Sequence, residues 1–246
     1  MDGNGAMNDL ESYFNNNPGR LIHKWRHYFE IYERHFARFR SKPITLVEIG
    51  VYKGGSLQMW KHYFGPQARI IGVDIDPQCA AFCDEQVEIA IGSQEDPKFL
   101  RSLADRLPPI DILIDDGGHT MSQQITTFEE LFPRVAANGV YLCEDLHTSY
   151  WPTYGGGYRS PHSYIEYSKN FIDYINAWHA KEPEALRSAN RERVSRESEL
   201  SVSAFTRSVH SLHYYDSVLV IEKRPMTPPV DLVSEGKQTA SSPPRV

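Results

Sequence analysis

Two apolar runs, residues 110–114 and 139–143, each stop at a pair of carboxylates, Asp115-Asp116 and Glu144-Asp145. Short aliphatic runs bounded by turn residues read as buried strands. The stretch between them, from Met121 to Val135 and closed by Ala-Asn-Gly, reads as a helix. A strand–helix–strand unit makes the two strands parallel and the crossover right-handed. Both acid pairs then lie at the carboxyl edge of one sheet, where open α/β folds bind their ligands. Carboxylates gathered in one place repel each other unless positive charge sits between them. A divalent cation is the expected occupant.

The same texture runs upstream. Residues 44–49, 69–75 and 87–91 read as strands, separated by helical stretches at 57–63, around Cys79 and Cys83, and at 98–106. Downstream, 206–213 and 217–223 read as two paired strands at the end of the sheet. The alternation predicts an α/β fold. It is a doubly wound, Rossmann-like, mostly parallel sheet of seven strands with an antiparallel C-terminal strand and helices on both faces. Residues 21–39 place Trp25, Phe29, Tyr32, Phe36 and Phe39 at helical spacing, so a helix with an aromatic face is expected there, and Tyr28 or Tyr32 is placed to cover a ligand.

Four regions outside these elements have their own character. Residues 1–19, rich in Asn and Gly, predict a flexible N-terminal arm ahead of a single domain at 20–224. Residues 148–180 contain WPTYGGGYRSPHSYIEY, too long and aromatic for an idle connection, and predict a lid on the acceptor side of the site. Residues 181–199 are charged and solvated, and 225–246 form a disordered tail rich in Pro and Ser.

Composition removes several functions. A formal charge of −6 argues against a nucleic-acid partner, which is held by neutralising phosphates. No apolar run approaches the roughly 20 residues of a membrane helix, and the opening MDGNGAMNDLESYF lacks the basic and apolar parts of a secretion signal. Three cysteines (Cys79, Cys83, Cys143) make no disulfide framework, so a cytoplasmic protein with reduced thiols is expected.

The glycine segment VEIGVYKGGS after the first strand is a weak signal alone, because any tight strand-to-helix turn favours glycine. Acids at the strand ends add weight: Glu48, Asp74, the 115–116 pair and the 144–145 pair. Asp74 lies far enough beyond the first glycine to meet ribose hydroxyls. A pyrophosphate would be repelled by this rim, whereas the sulfonium and ammonium of S-adenosylmethionine would be attracted.

The segments VEIGVYKGGS, IIGVDID, IDILIDDGGHT and GVYLCEDLH resemble class I S-adenosylmethionine-dependent methyltransferases. More narrowly, Asp-Gly-Gly-His followed by Glu-Asp is similar to the magnesium-dependent sugar O-methyltransferases that tailor macrolides. The resemblance implies that Asp116, Glu144 and Asp145 hold Mg2+ and that His119 is the general base, with His147 as a second candidate. It implies that Glu48, Gly50 and Ser56 lie along the methionine part of the cofactor, with Tyr52, Gly54 and Asp115 beside them. Asp74 falls at the ribose, and Ser93 and Gln94 near the adenine. Tyr150, Trp151, Tyr154 and Tyr158 suit a wall on which a flat sugar face stacks, and equally an oligomer contact.

These readings converge on O-methylation of a sugar hydroxyl, on a small-molecule or glycan acceptor with vicinal hydroxyls, by a homo-oligomer. Methylation of a catechol or other polyphenol is the nearer rival, since its vicinal oxygens also chelate magnesium. A non-catalytic cofactor-binding protein is the alternative outside enzymes. A non-haem iron site built from His119, Asp116 and His147 leaves Glu48 and Asp74 unexplained.

Overall fold

The computed structural model describes residues 8–180 and 200–234. Its strands are β1 (Thr45–Ile49), β2 (Arg69–Asp74), β3 (Val87–Ile91), β4 (Ile110–Asp115), β5 (Val135–Cys143), β6 (Val209–Tyr215) and β7 (Val218–Lys223). They form one sheet in the order β3-β2-β1-β4-β5-β7-β6, the first five parallel. β7 runs antiparallel to both its neighbours, so the last strand among the described residues is inserted between β5 and β6. The order reverses between β1 and β4, and a cleft opens there beyond the strand ends, as expected at a topological switch point.

The helices are α1 (Asp9–Asn15), α2 (Tyr28–Phe36), α3 (Gly55–Phe64), α4 (Pro97–Arg106), α5 (Met121–Leu131), α6 (Tyr164–Ile175) and α7 (Ala204–Ser208). Alternation along the strands feeds two cores, because successive strand residues face opposite sides. Leu46, Ile112, Ile114, Val140 and Leu142 pack against Phe29, Tyr32, Trp60 and Phe64 of α2 and α3. Val47, Leu113, Tyr141 and Cys143 pack on the other side with Leu100 of α4, Phe128 of α5 and Phe171 of α6.

Several expectations are corrected. The aromatic helix starts at Tyr28, not near Leu21, and ends in a 3-10 turn, Ala37–Phe39; residues 21–25 form no helix and Trp25 is 54% exposed. The region expected as a loose arm contains α1, whose Leu10 is fully buried and whose N-cap residue, Asn8, donates from Nδ2 to the Phe29 carbonyl at 3.0 Å. Residues 206–208 belong to α7, so β6 begins three residues later than its sequence suggests. Most of 148–180 is not a lid: Tyr164 and Phe171 are buried, with the Tyr164 and Tyr141 hydroxyls 3.1 Å apart, because α6 supplies part of the second core. Residues 225–234 have no regular structure, while the charged stretch 181–199 and the tail beyond 234 lie outside the described residues.

β7 is also clamped to α2. His35, buried, places Nδ1 2.7 Å from Glu222 and Nε2 2.9 Å from the Tyr215 hydroxyl, and Arg38 donates to the same carboxylate at 3.0 Å. One neutral tautomer, donating through Nδ1 and accepting at Nε2, satisfies both contacts.

Candidate active site

The register fixes where the acids emerge. Ile49, Asp115 and Cys143 are paired neighbours across β1, β4 and β5, so Gly50, Asp116 and Glu144 are the next residues out. The ladder continues one step beyond the strands, with Gly50 N donating to Val73 O, Asp116 N to Ile49 O and Glu144 N to Asp115 O at 2.8–2.9 Å. Gly50 has φ +93°, and a Cβ there would stand 1.9 Å from the Asp116 carbonyl oxygen. Only glycine lets these two strand ends meet this closely.

The cleft measures about 810 Å3, within the range of small-molecule sites. Its walls are strand-end loops carrying Gly50, Tyr52, Asp74, Ser93, Gln94, Asp116 and His119, with Glu144 and Asp145 at one end. Asp74 Oδ2 accepts from the Val51 and Tyr52 amides at 2.9 Å, and Oδ1 from Asp76 N at 2.9 Å. Burial pushes its pKa up, but these amides outweigh it and hold the carboxyl below its ordinary value. Gly54, in the left-handed region at φ +71°, caps α3.

Two expected cofactor contacts face away. Glu48 shares the Leu46 side of β1 and is wholly buried, accepting from Ser56 Oγ at 2.8 Å and Trp60 Nε1 at 2.9 Å. It does not line the cleft; it braces the glycine turn from beneath, through Ser56, which does. Asp115 shares the Leu113 side of β4, is fully buried, and accepts from Gln94 Nε2 at 3.0 Å while Oδ2 has no partner. Gln94 in turn accepts the Gly118 amide at 2.7 Å, so both ends of its amide tie loops together. Strand parity, a period of two, explains both departures.

Burial pushes the Glu48 carboxyl up to about 7, from an ordinary 4.5. Below about 4.5 the folded and unfolded chains both carry the proton; between that and about 7 only the unfolded chain ionises, so stability falls as pH rises through this window. At about 1.4 kcal/mol per pH unit the loss approaches ~3 kcal/mol by pH 8. Glu48→Gln is expected to start lower, having lost one acceptor, yet to flatten this slope when denaturant midpoints are measured from pH 4.5 to 8. An unchanged slope in the variant would remove Glu48 as its source.

The acid cluster is organised from α2 and the segment before it, where Lys24 is the residue that the sequence did not single out. Tyr28 and Tyr32, one helical turn apart on α2, donate to Asp145 Oδ1 at 2.7 Å and to Glu144 Oε1 at 2.6 Å. Lys24, from the extended segment before α2, sends Nζ to 2.5 Å from Asp116 Oδ2 and 2.8 Å from Glu144 Oε2, with a side chain 2% exposed. Burial alone would lower the Lys24 pKa, but Asp116, Glu144 and Glu48 outweigh it and keep the ammonium charged. Burial and the Asp116 charge push Glu144 upward against Lys24 and Tyr32, as expected where carboxylates outnumber cations.

His119 Nε2 lies 3.5 Å from Asp145 Oδ2 and 3.8 Å from Asp116 Oδ1. Burial lowers its pKa below the ordinary 6.5 in spite of both acids. His119 and Asp145 both adopt left-handed backbone, at φ +58° and +56°, a strained choice for such residues that recurs at functional sites. Thr148 holds the two together, its hydroxyl within 3.0 Å of the His119 carbonyl and 2.8 Å of the Asp145 carbonyl. Ligand atoms of Asp116, His119 and Asp145 all lie within 4.8 Å of one another. The expected trio of acids is therefore split: His119 joins Asp116 and Asp145, while Glu144 is drawn to Lys24 and Tyr32. These carboxylates are donors that suit a small, hard divalent cation, with the imidazole beside them.

Beyond the acids runs an aromatic row. Trp25 lies 5.9 Å from His147, His147 4.7 Å from Trp151, and Trp151 5.7 Å from Tyr154, between ring centres. His147 Nδ1 is 2.5 Å from Ser217 Oγ and 4.0 Å from Asp145, so it stands beside the cluster on the β6–β7 turn. Tyr154 also faces a separate hollow with Met121 and Tyr167. Tyr150 and Tyr158 are 50% and 78% exposed and stand outside the cleft.

Residues 47–146 match a family of methyltransferase domains. Over this span the chain is similar to methyltransferase domains. The matched span runs from β1 to just past the Glu144-Asp145 pair. The chain is 38% identical over 205 residues to the 8-demethyl-8-alpha-L-rhamnosyl tetracenomycin-C 2'-O-methyltransferase of Streptomyces olivaceus, covering 80% of this chain and 50% of that protein. It is 34% identical to the demethylmacrocin O-methyltransferase of Streptomyces fradiae, covering 88% and 53%. The chain superposes on the solved structure of the MycE methyltransferase of the mycinamycin pathway, in complex with Mg, SAH and mycinamycin VI, with a TM-score of 0.70 and 31% identity over 88% of this chain and 53% of that one. The chain spans about half the length of the relatives it matches.

Proposed function

We propose that this domain transfers a methyl group from S-adenosylmethionine to a hydroxyl of a sugar on a glycosylated small molecule, with a divalent cation, Mg2+, at the acid cluster. The observation that carries this reading is His119 lying within 3.5–3.8 Å of Asp145 and Asp116 at the end of a cleft formed by strand-end loops. When bound, the cofactor supplies the activated methyl and the metal supplies the charge that acidifies the acceptor hydroxyl.

The chain's own groups then divide the work. The Asp74 loop and the glycine turn at 50–55 cradle the donor, and Asp74 keeps lone pairs for the ribose. Asp116 and Asp145 hold the metal, with Glu144 as the third carboxylate of the cluster. His119 takes the hydroxyl proton at Nε2, because Nδ1 is buried without a partner. The resulting imidazolium is stabilised by the two carboxylates beside it. Trp25, His147 and Trp151 offer the acceptor a stacking face. The exposed rings of Tyr150 and Tyr158 fit a contact between copies in a homo-oligomer. The reading includes a cytoplasmic enzyme acting on small molecules; among the described residues no helix is long and apolar enough to cross a membrane.

The test is methyl uptake from labelled S-adenosylmethionine onto a panel of rhamnosyl and deoxysugar glycosides and catechols, with and without chelator. Transfer to glycosides that stops with chelator and returns with Mg2+ is the expected result. Transfer confined to catechols would overturn the acceptor class, and transfer indifferent to chelator would overturn the metal.

A further inference from the structure

The acid cluster already contains a cation. Lys24 belongs to the segment 20–25, which lies across the glycine turn at the mouth of the cleft. The Arg20 amide donates to Gln58 Oε1 at 2.8 Å, and the Arg20 guanidinium stands 4.5 Å from the centre of the Phe82 ring. The Leu21 and Arg20 carbonyls press so closely on Gly55 that a Cβ there would come within 2.2 and 2.6 Å of them. From this anchored segment the Lys24 side chain runs inward, over the Tyr32 ring at 5.8 Å, and ends between Asp116 Oδ2 and Glu144 Oε2.

Those two oxygens face one point, and the ammonium occupies it. Magnesium takes oxygen ligands at roughly 2.0–2.1 Å in a near-ideal octahedron. An ion bridging the same two oxygens would stand inside the space that Nζ fills, and two cations at that separation repel. Exposed lysines reach carboxylates through a mobile stem in water; this one is 2% exposed and hydrogen-bonded to both acids, so leaving requires a movement of the segment that carries it.

We infer that Lys24 is the resident counter-ion of the metal-free cluster, and that it and a divalent metal hold Asp116 and Glu144 by turns, so that metal entry expels the ammonium and shifts the segment 20–25 over the cleft. This inference rests on the metal-dependent reading above. It makes Lys24 a positioning residue that sets the affinity for metal, and it couples metal occupancy to Trp25, the next residue, and so to the Trp25–His147 contact on the acceptor side.

The experiment is pulse acetylation of the unaltered protein with acetic anhydride, read lysine by lysine by mass spectrometry, with and without Mg2+, with Mg2+ binding followed in parallel by calorimetry. Lys24 is expected to be protected without metal and to label at least tenfold faster with it, while exposed Lys98 on α4 labels equally in both. In Lys24→Met, which keeps the apolar stem, Mg2+ is expected to bind about tenfold more tightly, because the competing occupant no longer reduces the competent fraction. If Mg2+ binds the unaltered protein and Lys24 stays protected, or if Lys24→Met binds Mg2+ more weakly, this inference falls and the metal-dependent reading stands. If Mg2+ binds neither protein, both fall.

Discussion

Replacing His119 by alanine is expected to lower methyl transfer by about 10²–10⁴-fold while leaving cofactor affinity within a small factor of wild type. The argument is geometric. Nε2 lies 3.5 Å from Asp145 and 3.8 Å from Asp116, at the end of the cleft where the acceptor hydroxyl must lie to reach both metal and methyl. No other imidazole is placed this way among the described residues: the ring of His147, which follows the acid pair, leans on Ser217 and makes edge-on contacts with Trp25 and Trp151. His147→Ala is therefore expected to raise the acceptor KM more than it lowers kcat. Free imidazole, added to His119→Ala, should restore part of the lost rate by entering the vacated space. A His119→Ala rate within tenfold of wild type, or a larger kcat loss in His147→Ala, would reverse the assignment.

The second large effect is on stability. Gly50→Ala combines a left-handed φ of +93° with a Cβ placed 1.9 Å from the Asp116 carbonyl oxygen. Backbone strain and overpacking each cost about 1–3 kcal/mol, so the sum is about 4 kcal/mol, or roughly 10 °C in melting temperature for a domain of this size. Gly65 is the matched control. Its φ is +82°, yet nothing lies within 4 Å of the position its Cβ would take, so Gly65→Ala should show the strain alone, about 1–3 kcal/mol. Comparable melting shifts in the two variants would mean that the close approach of the β1 and β4 ends does not constrain the fold. Because the clash is with the residue carrying a cluster carboxylate, Gly50→Ala should also weaken Mg2+ binding, and Gly65→Ala should not.

The fold was largely legible because its signals are local. Aliphatic runs closed by acids or by glycine mark the five parallel strands, and alternation along them matches the two cores. The site was legible as far as the strand edge: Asp116, His119, Glu144 and Asp145 do gather there. Side-chain direction was only half read. Glu48 and Asp115 sit at strand ends like the others, but their parity with Leu46 and Leu113 points them into the two cores, a signal present in the alternation itself. Lys24 had no local signal. A single lysine within HKWRHY reads as solvated, and its partners lie 92 and 120 residues away. Trp25 was assigned to the helix for a related reason, since its spacing to Phe29 and Tyr32 continues the helical period although the backbone does not. The expectation at these acids was a divalent cation; the lysine ammonium found between Asp116 and Glu144 was not anticipated, because its placement is a matter of tertiary structure.

The insertion of β7 between β5 and β6 has a consequence for the order in which the molecule can be completed. While the polypeptide is still emerging from the ribosome, β5 has a bare edge, and unpaired strand edges invite pairing with other chains. The turn ahead of β7 also carries Ser217, whose carbonyl receives the Leu146 amide at 2.9 Å and whose hydroxyl meets His147. A nascent polypeptide halted before that turn has built both acid pairs yet lacks the support that seats the loop following them. The loop after the acid pairs is therefore seated only once β7 has paired with β5 and brought the Ser217 turn against it.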